Sequence, residues 1–555
     1  MSTVLTGGGW LQPGIPPEPV FSPEDFTPED NALADTAERF CNEQVWPQAG
    51  AIDAKQEGLL AELMDQASEL GLTMLDIPEA YEGLELPVPV SMRVLEKTAR
   101  EQSFMLSLMV QNGIGSLPVV LFGTEKQKQQ WLPAFASGAK RGCYCLTEPS
   151  SGSDALAART TATLSDDGNE WVLSGTKQFI TNAAIADVGF VFAQVTGEVD
   201  GASGFSCFIV PLDAPGVSLG AEEDKLGIRG SSTCQVIMQQ ARVARDSVLG
   251  EIGRGHVIAF NILNNGRYKL GGTALGSAKW AFNAALEYAQ NRKQFGQAVT
   301  DFGMIRRKVG QMAADIFAVE SAIYRLCGNL ERDARSRGYG AAAKLSALQN
   351  FALECSIAKI AGSELLARVS DESLQMFGGY GFLEEYPAAK YLRDARIARI
   401  YEGTNEINRI VMPRTLLKKV SAGQINLSAR ADDGPLEAMK AAHAACLNAA
   451  LEAFGDGKGF DRDQEVMAHL AEMQLAIYLA ESVSLRVAKM SAEPVHHAIV
   501  DLVVGQQAAA VRQLATELMT HLGQPAAQTG GTTCDPLRLR QEIAAAVLER
   551  GRYEL

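Results

Sequence analysis

The chain has 555 residues, 46% hydrophobic and 21% charged, with a formal net charge of −16. That length exceeds what one hydrophobic core fills, so two to four packed units are expected. The acidic balance repels phosphate backbones, which sets aside nucleic-acid binding as a main function. The nine cysteines are scattered, without a CxxC pair or zinc-type Cys/His spacing, so neither a disulfide scaffold nor a metal site is expected.

Residues 1–25 are rich in Gly and Pro and read as an irregular arm. The opening lacks a basic start followed by an apolar core, and no stretch is long and apolar enough to span a bilayer. Cytoplasmic residence without a transmembrane segment is the expectation. From Thr27 the pattern turns helical, with a cap, a first-turn proline at Pro28 and acids at Glu29 and Asp30. A capping-box pattern opens a further helix at Thr124-Glu-Lys-Gln127. Residues 26–141 therefore read as an N-terminal α domain. One of its helices is expected to carry Ser107, Met109, Asn112, Gly113 and Gly115, small or flexible residues that either leave a groove for an apolar tail or permit close helix packing.

Residues 142–255 alternate short β-rich runs, such as Trp171-Val-Leu-Ser174 and Gly189-Phe-Val-Phe-Ala193, with Gly, Asn and Asp turns. They predict a small antiparallel β domain without crossover helices. Long helical periodicity over 256–420 predicts a helical bundle. A small, polar linker follows at 421–435, and Ala-rich amphipathic helices at 436–454, 464–490, 495–522 and 537–549 make an extra C-terminal helical domain. Their apolar stripes read as core or interface rather than membrane anchor. The fold class is α+β, mostly α.

The chemistry-bearing run is Arg396-Ile-Ala-Arg-Ile-Tyr-Glu-Gly-Thr-Asn-Glu-Ile-Asn-Arg409. Glu402, among apolar and small neighbours, is a candidate general base, because such surroundings favour the neutral carboxyl. The structural alternative is a solvated acid at a helix start capped by Thr404 or Asn405. Of six histidines only His256 precedes residue 430, which points to a carboxylate as the proton-transfer group and disfavours a Ser/His/Asp hydrolase. No GxGxxG or Walker loop is present. Instead, Thr147-Glu-Pro-Ser-Ser-Gly-Ser-Asp154, Phe179-Ile-Thr-Asn182, Arg292-Lys-Gln-Phe-Gly296 and Gln375-Met-Phe-Gly-Gly-Tyr-Gly381 offer hydroxyls, backbone donors, a guanidinium and aromatic faces.

Together these segments resemble the acyl-CoA dehydrogenase family of flavoenzymes from residue 30 to residue 420, with Tyr144-Cys-Leu-Thr147 and Tyr401-Glu-Gly-Thr404 in family order. Ile262-Leu-Asn-Asn-Gly-Arg267, Phe302-Gly-Met-Ile305 and the extra helical domain resemble its very-long-chain branch. The resemblance implies an α domain, a β domain and a four-helix bundle. It implies FAD as cofactor and α,β-dehydrogenation of a medium- to very-long-chain acyl-CoA to trans-2-enoyl-CoA in β-oxidation, with electrons passed to electron-transferring flavoprotein. It also implies a homodimer, because Arg292 and Phe295 would hold the FAD pyrophosphate and adenine across a subunit interface.

By the same resemblance Thr147, Phe179 and Thr181 contact the flavin, with Tyr144, Leu146 and Ile180 beside them. Ser153 lies near flavin and thioester, and Gln375, Gly378, Gly379, Thr404 and Glu406 complete the cofactor site. Asn264, Arg267 and Gly403 join Ser153 and Glu402 at the substrate. Phe179 stands where many relatives carry Trp, and Gly303 replaces a Gln of many short- and medium-chain relatives. One branch places its base beside the arginine at 267; here that position is Gly266, leaving Glu402. The alternatives are an oxidase or monooxygenase of the same superfamily, and a scaffold or assembly protein that retains the fold.

Overall fold

A computed structural model describes residues 6–12, 19–427, 434–455, 459–525, 527 and 534–555. The chain divides into two compact units, one of Met1–Thr27, Leu270–Asp333 and Asn350–Leu555, the other of Pro28–Lys269 and Ala334–Gln349.

In the second unit the helix Pro28–Phe40 begins at the expected proline, with Glu29 and Asp30 in its first turn, and buries Ala34, Ala37 and Phe40 at helical spacing. The capping box at Thr124 and Gln127 opens the helix Glu125–Ala136, as the sequence predicts. The helix Gln102–Gln111 is buried on every side, and Asn112 is its C-cap. Gly113 and Gly115 therefore lie beyond it. A Cβ on Gly115 would stand 2.6 Å from the Gly142 carbonyl oxygen, so this glycine serves close backbone packing rather than a groove. Asn112 is a brace: its amide donates to the carbonyls of Leu72 and Leu108 and its Oδ1 accepts from Leu75 N–H.

The β region has strands β1 (Gly142–Cys145), β2 (Thr161–Leu164), β3 (Glu170–Thr181), β4 (Val188–Val199), β5 (Ala202–Pro211), β6 (Val217–Leu219), β7 (Thr233–Ala244) and β8 (Val248–Leu249). They form one sheet in the order β6-β7-β3-β2-β4-β5-β8, with β1 also on β4. The expectation of an antiparallel domain needs correction in part, because β1 and β2 both pair with β4 in parallel. Hairpins such as β4–β5 are antiparallel, but β1 and β2 reach β4 by longer excursions that fix no antiparallel return. Trp171, packed edge-on against Phe208, anchors the sheet core.

In the first unit are the long helices Ala352–Phe377 and Asn405–Ser421, with all but the last turn of Gly303–Ser336 and the later part of Gly255–Asn291. A Cβ on Gly271 would meet the Ala358 carbonyl oxygen at 2.4 Å, and one on Gly362 the Gly271 oxygen at 2.3 Å. Two helices thus touch backbone to backbone. The C-terminal helices Pro435–Phe454, Gln464–Lys489, Pro494–His521 and Pro536–Arg550 follow the predicted spans, three of them opening on a proline. Their apolar stripes join Leu353, Met412 and Leu416 in one core. Of the predicted linker, Ile425 and Leu427 are buried in that core, and residues 428–433 lie outside the described part. No helix among the described residues is long and apolar enough to cross a membrane.

The described part of the arm is more ordered than its glycines suggest. Leu11 enters the same core. Glu354 accepts from Gly8 N–H at 2.5 Å and from the Trp10 indole at 2.8 Å, while Lys419 donates to the Gly7 carbonyl. Residues 1–5 and 13–18 lie outside the description.

Candidate active site

The sequence-predicted residues fall into two sets, one in each unit. In the first unit, Glu402 occupies the turn before the helix Asn405–Ser421. Glu402 has φ +58° and Gly403 φ +78°, a consecutive left-handed pair that costs energy at a residue bearing a Cβ and is held only by its surroundings. The holding group is Asn408, fully buried, whose amide donates to the carbonyls of Gly403 at 2.9 Å and Thr404 at 3.0 Å and lies 3.5 Å from that of Glu402. Thr404 caps the helix by accepting from Ile407 N–H at 3.2 Å. The capping alternative for this stretch is therefore present as well; it fixes the turn rather than competing with a role for Glu402. Burial, and then the negative charges of Glu402 and Asp394, push the Tyr401 hydroxyl well up, so a neutral phenol stands next to the carboxylate. Glu406 is exposed, and hydrogen bonds from its own backbone and from Thr404 lower its carboxyl.

Arg292 and the segment around Gly378 and Gly379, distant in sequence, come together: the Arg292 guanidinium lies 5.5 Å from the Tyr380 ring centroid. Tyr288 stacks on Phe377 at 4.3 Å, and Tyr386 closes the aromatic cluster. This cluster escaped the sequence reading, although Tyr288 sits one helical turn before Arg292. Gly378 ends the helix Ala352–Phe377 at φ +60°, ψ −142°, a conformation essentially confined to glycine. A Cβ on Gly378 or Gly379 would meet nothing, and Gln375 is exposed. Phe295 and Gly296 form the tip of a two-strand hairpin (Lys293–Gln294 with Gln297–Ala298), where Phe295 is 94% exposed.

In the second unit, β1 leads into Leu146, Thr147 and Glu148. Gln178 N–H donates to the Thr147 carbonyl at 2.8 Å, and the Lys177 ammonium bridges the Leu146 carbonyl and the Glu148 carboxylate at 3.2 and 2.8 Å. Burial pushes the Glu148 carboxyl up, but hydrogen bonds from Lys177, Thr160 and Arg159 outweigh it and bring it down to about 2. Burial lowers Lys177, and Glu148 offsets only part of that. Neither residue is singled out by the sequence, where Glu148 appears only within the Thr147–Asp154 run. At the irregularity in β3, Phe179 has φ +58° and is 61% exposed, an unusual state for an aromatic side chain. Asn182 (φ +66°) locks the segment by donating to the Ser107 carbonyl at 3.0 Å.

Thr147 and Thr181 are half-buried and Ser153 is exposed, whereas the side chains of Tyr144, Leu146 and Ile180 are buried in the protein. On the helix Gly255–Asn291, the Arg267 guanidinium donates to Asn264 Oδ1 at 2.9 Å, both nearly buried.

Each set by itself has features that suit part of a dinucleotide cofactor with a planar ring system. Exposed Phe179 offers a face, exposed Arg292 a phosphate partner, and the open side of Gly378 and Gly379 room for a close approach. Comparison with known proteins gives the class. The acyl-CoA dehydrogenase N-terminal, middle and C-terminal domain models match residues 27–139, 143–241 and 253–417, and a further acyl-CoA dehydrogenase C-terminal domain model matches 443–528. The chain belongs to the acyl-CoA dehydrogenase family, FAD-dependent oxidoreductases.

Among its relatives, a probable acyl-CoA dehydrogenase of Bacillus subtilis is 43% identical over 511 residues, 88% of this chain and 85% of that protein. The bovine mitochondrial short-chain specific acyl-CoA dehydrogenase is 40% identical over 70% of this chain and 89% of its own length. A crystal structure of an acyl-CoA dehydrogenase complexed with FAD from Bacillus anthracis superposes with a TM-score of 0.94 at 37% identity, covering 99% of this chain and all of that one.

Proposed function

We propose that this chain catalyses FAD-dependent α,β-dehydrogenation of medium- to very-long-chain acyl-CoA thioesters to trans-2-enoyl-CoA. Glu402 removes the α proton. The observation that carries the proposal is the Glu402–Gly403 turn: a carboxylate held in a left-handed conformation by the buried Asn408, beside a phenol that stays neutral. A thioester α carbon is a weak acid, so the charge developing on its carbonyl oxygen needs donors, of which the Glu402 backbone N–H is one. When bound, FAD supplies the acceptor for the β hydrogen with its electron pair and a ribityl hydroxyl as a second donor to that oxygen. Thr147, Ser153, Phe179 and Thr181 orient the isoalloxazine, with Tyr144, Leu146 and Ile180 supporting the two segments. Arg292 and Phe295 reach across the subunit interface of a homodimer to hold the FAD pyrophosphate and adenine, and Gln375, Gly378, Gly379, Thr404 and Glu406 complete the cofactor site. Asn264 and Arg267 face the substrate with Gly403.

The chain-length range rests on the resemblance of residues 262–267 and 302–305 to the very-long-chain branch. The region around Gly113 and Gly115 no longer supports it, since those glycines serve packing. Electron-transferring flavoprotein is the proposed acceptor, fatty-acid β-oxidation in the cytoplasm the proposed setting, and the six-part division of the sequence part of the same reading. Anaerobic titration of the purified yellow protein with acyl-CoAs from butanoyl to stearoyl tests it. Bleaching of the flavin with formation of trans-2-enoyl-CoA, strongest at medium or longer chains, is expected. Flavin that stays oxidised with every acyl-CoA would leave the scaffold alternative, and peroxide formed in air at the turnover rate would favour the oxidase.

A further inference from the structure

The C-terminal helices reach the catalytic turn through one side chain. Arg409 lies on the first helical turns after Glu402, on the helix Asn405–Ser421. Its Nη2 donates to Glu364 Oε1 at 2.8 Å, on the helix Ala352–Phe377, and its Nε donates to Glu472 Oε1 at 2.5 Å, on the C-terminal helix Gln464–Lys489. The same Glu364 oxygen accepts from Asn405 Nδ2 at 3.0 Å. Asn405 is buried and follows the cap residue Thr404, and its Oδ1 accepts from Lys359 at 2.5 Å and from Ser363 at 3.3 Å. An unbroken series of charge-assisted contacts therefore runs from Glu472 through Arg409, Glu364 and Asn405 to the turn that carries Glu402.

We infer that the C-terminal helical region positions the catalytic base: Glu472 holds Arg409, and Arg409 with Glu364 and Asn405 fixes the start of the helix from which the Glu402 turn springs. This rests on the reading of Glu402 as the base. Arg409 and Glu472 are positioning residues, acting through the turn and not on the substrate. The physical case is twofold. The left-handed pair at Glu402 and Gly403 persists only where its surroundings over-determine it, and Asn408 secures the turn's carbonyls without fixing the helix that bears it. A fork-shaped guanidinium held from two helices by two carboxylates supplies that second constraint, since its planar donors set direction as well as distance. The local ion pair in the neighbourhood is geometrically tight, yet neither carboxylate is fully buried, so replacing Glu472 removes a constraint without leaving a deeply buried lone charge.

The test compares Glu472→Ala, Glu472→Gln and Glu402→Gln with the parent holoenzyme, by single-turnover flavin reduction at saturating acyl-CoA, together with flavin content, substrate half-saturation and Tm. Glu472→Ala is expected to keep its FAD and its half-saturation while the reduction rate falls about two- to thirtyfold, the range of coupling energies carried through such networks. Glu472→Gln, which keeps an acceptor for Nε, is expected to recover most of the rate. A parental rate in Glu472→Ala beside a dead Glu402→Gln overturns the inference alone, including when Tm drops, since that would be a purely structural role. A parental rate in Glu402→Gln overturns the base assignment and this inference with it.

Discussion

Two turns in the first unit share a backbone and differ in everything around it. Glu402–Gly403 has φ values of +58° and +78°, and Phe295–Gly296 has +51° and +82°. The first is clamped by Asn408, capped by Thr404 and set on a helix pinned by Arg409. The second is a hairpin tip whose aromatic ring is almost wholly exposed, and a Cβ on its glycine would meet nothing. One strained pair is thus over-determined by the residues around it, whereas the other stands open at an exposed tip. On the proposed reading, the difference separates the residue that takes the proton from residues that complete a site across subunits: precise placement of a base requires a braced turn, and recognition of a partner or cofactor requires an available one.

That contrast can be broken from either side. Shortening the braced residue with Glu402→Asp withdraws the carboxylate by one methylene, and a displacement of that order costs about a hundredfold in rate. FAD content should stay at the parental level, and stopped-flow reduction by acyl-CoA checks it; an unchanged rate would mean that placement at this turn does not matter. On the exposed side, Arg292→Ala removes a charge-assisted contact to phosphate and should weaken FAD retention about ten- to hundredfold. The dimer should loosen with it, so flavin content and mass are read together by light scattering after gel filtration. Full FAD occupancy in an intact dimer counts against the cradle assignment.

A smaller effect is expected at the clamp itself. Asn408→Ala leaves the Gly403 carbonyl without its donor, a loss of about 1–3 kcal/mol in stability, seen as a lower denaturation midpoint with slower flavin reduction. A parental midpoint and rate would show that the turn holds its shape unaided. The smallest prediction concerns the second unit. Glu148 is held at about 2 against an ordinary 4.5, so its contribution to stability is complete above pH 4.5 and is lost as the pH falls towards 2. The stability gap between the parent and Glu148→Gln should therefore narrow between pH 4.5 and 2, by urea titration; a constant gap would place the contribution of Glu148 outside the ion pair.

Most of the scaffold was legible because its signals are local. Pro28, Pro435, Pro494 and Pro536 mark helix starts, Thr124 and Gln127 form the capping box they spell, and Ala-rich periodicity marks the C-terminal helices. The parallel pairing of β1 and β2 with β4 was not legible, because it joins segments whose relation no turn encodes. The arm read as irregular from its glycines, and the signal for its docking was Trp10 with Leu11, large apolar residues that an unpacked tail does not need. Glu402, Arg292 and the Gly378 segment stood out by motif. Asn408, Glu472 and the Lys177–Glu148 pair did not, since each acts through a partner distant in sequence or through a main-chain carbonyl, and polar residues in helices and loops are ordinarily solvent-facing.

The claim on which the account turns is that the carboxylate of Glu402 takes the proton. Glu402→Gln keeps the size and hydrogen-bonding shape of the side chain and removes its basicity, so the measurement is single-turnover flavin reduction by a saturating acyl-CoA under anaerobic conditions, with FAD and substrate binding verified in the same preparation. The account predicts a protein that stays yellow, binds acyl-CoA, and reduces its flavin slower by at least about two to four orders of magnitude. Bleaching at the parental rate would contradict it.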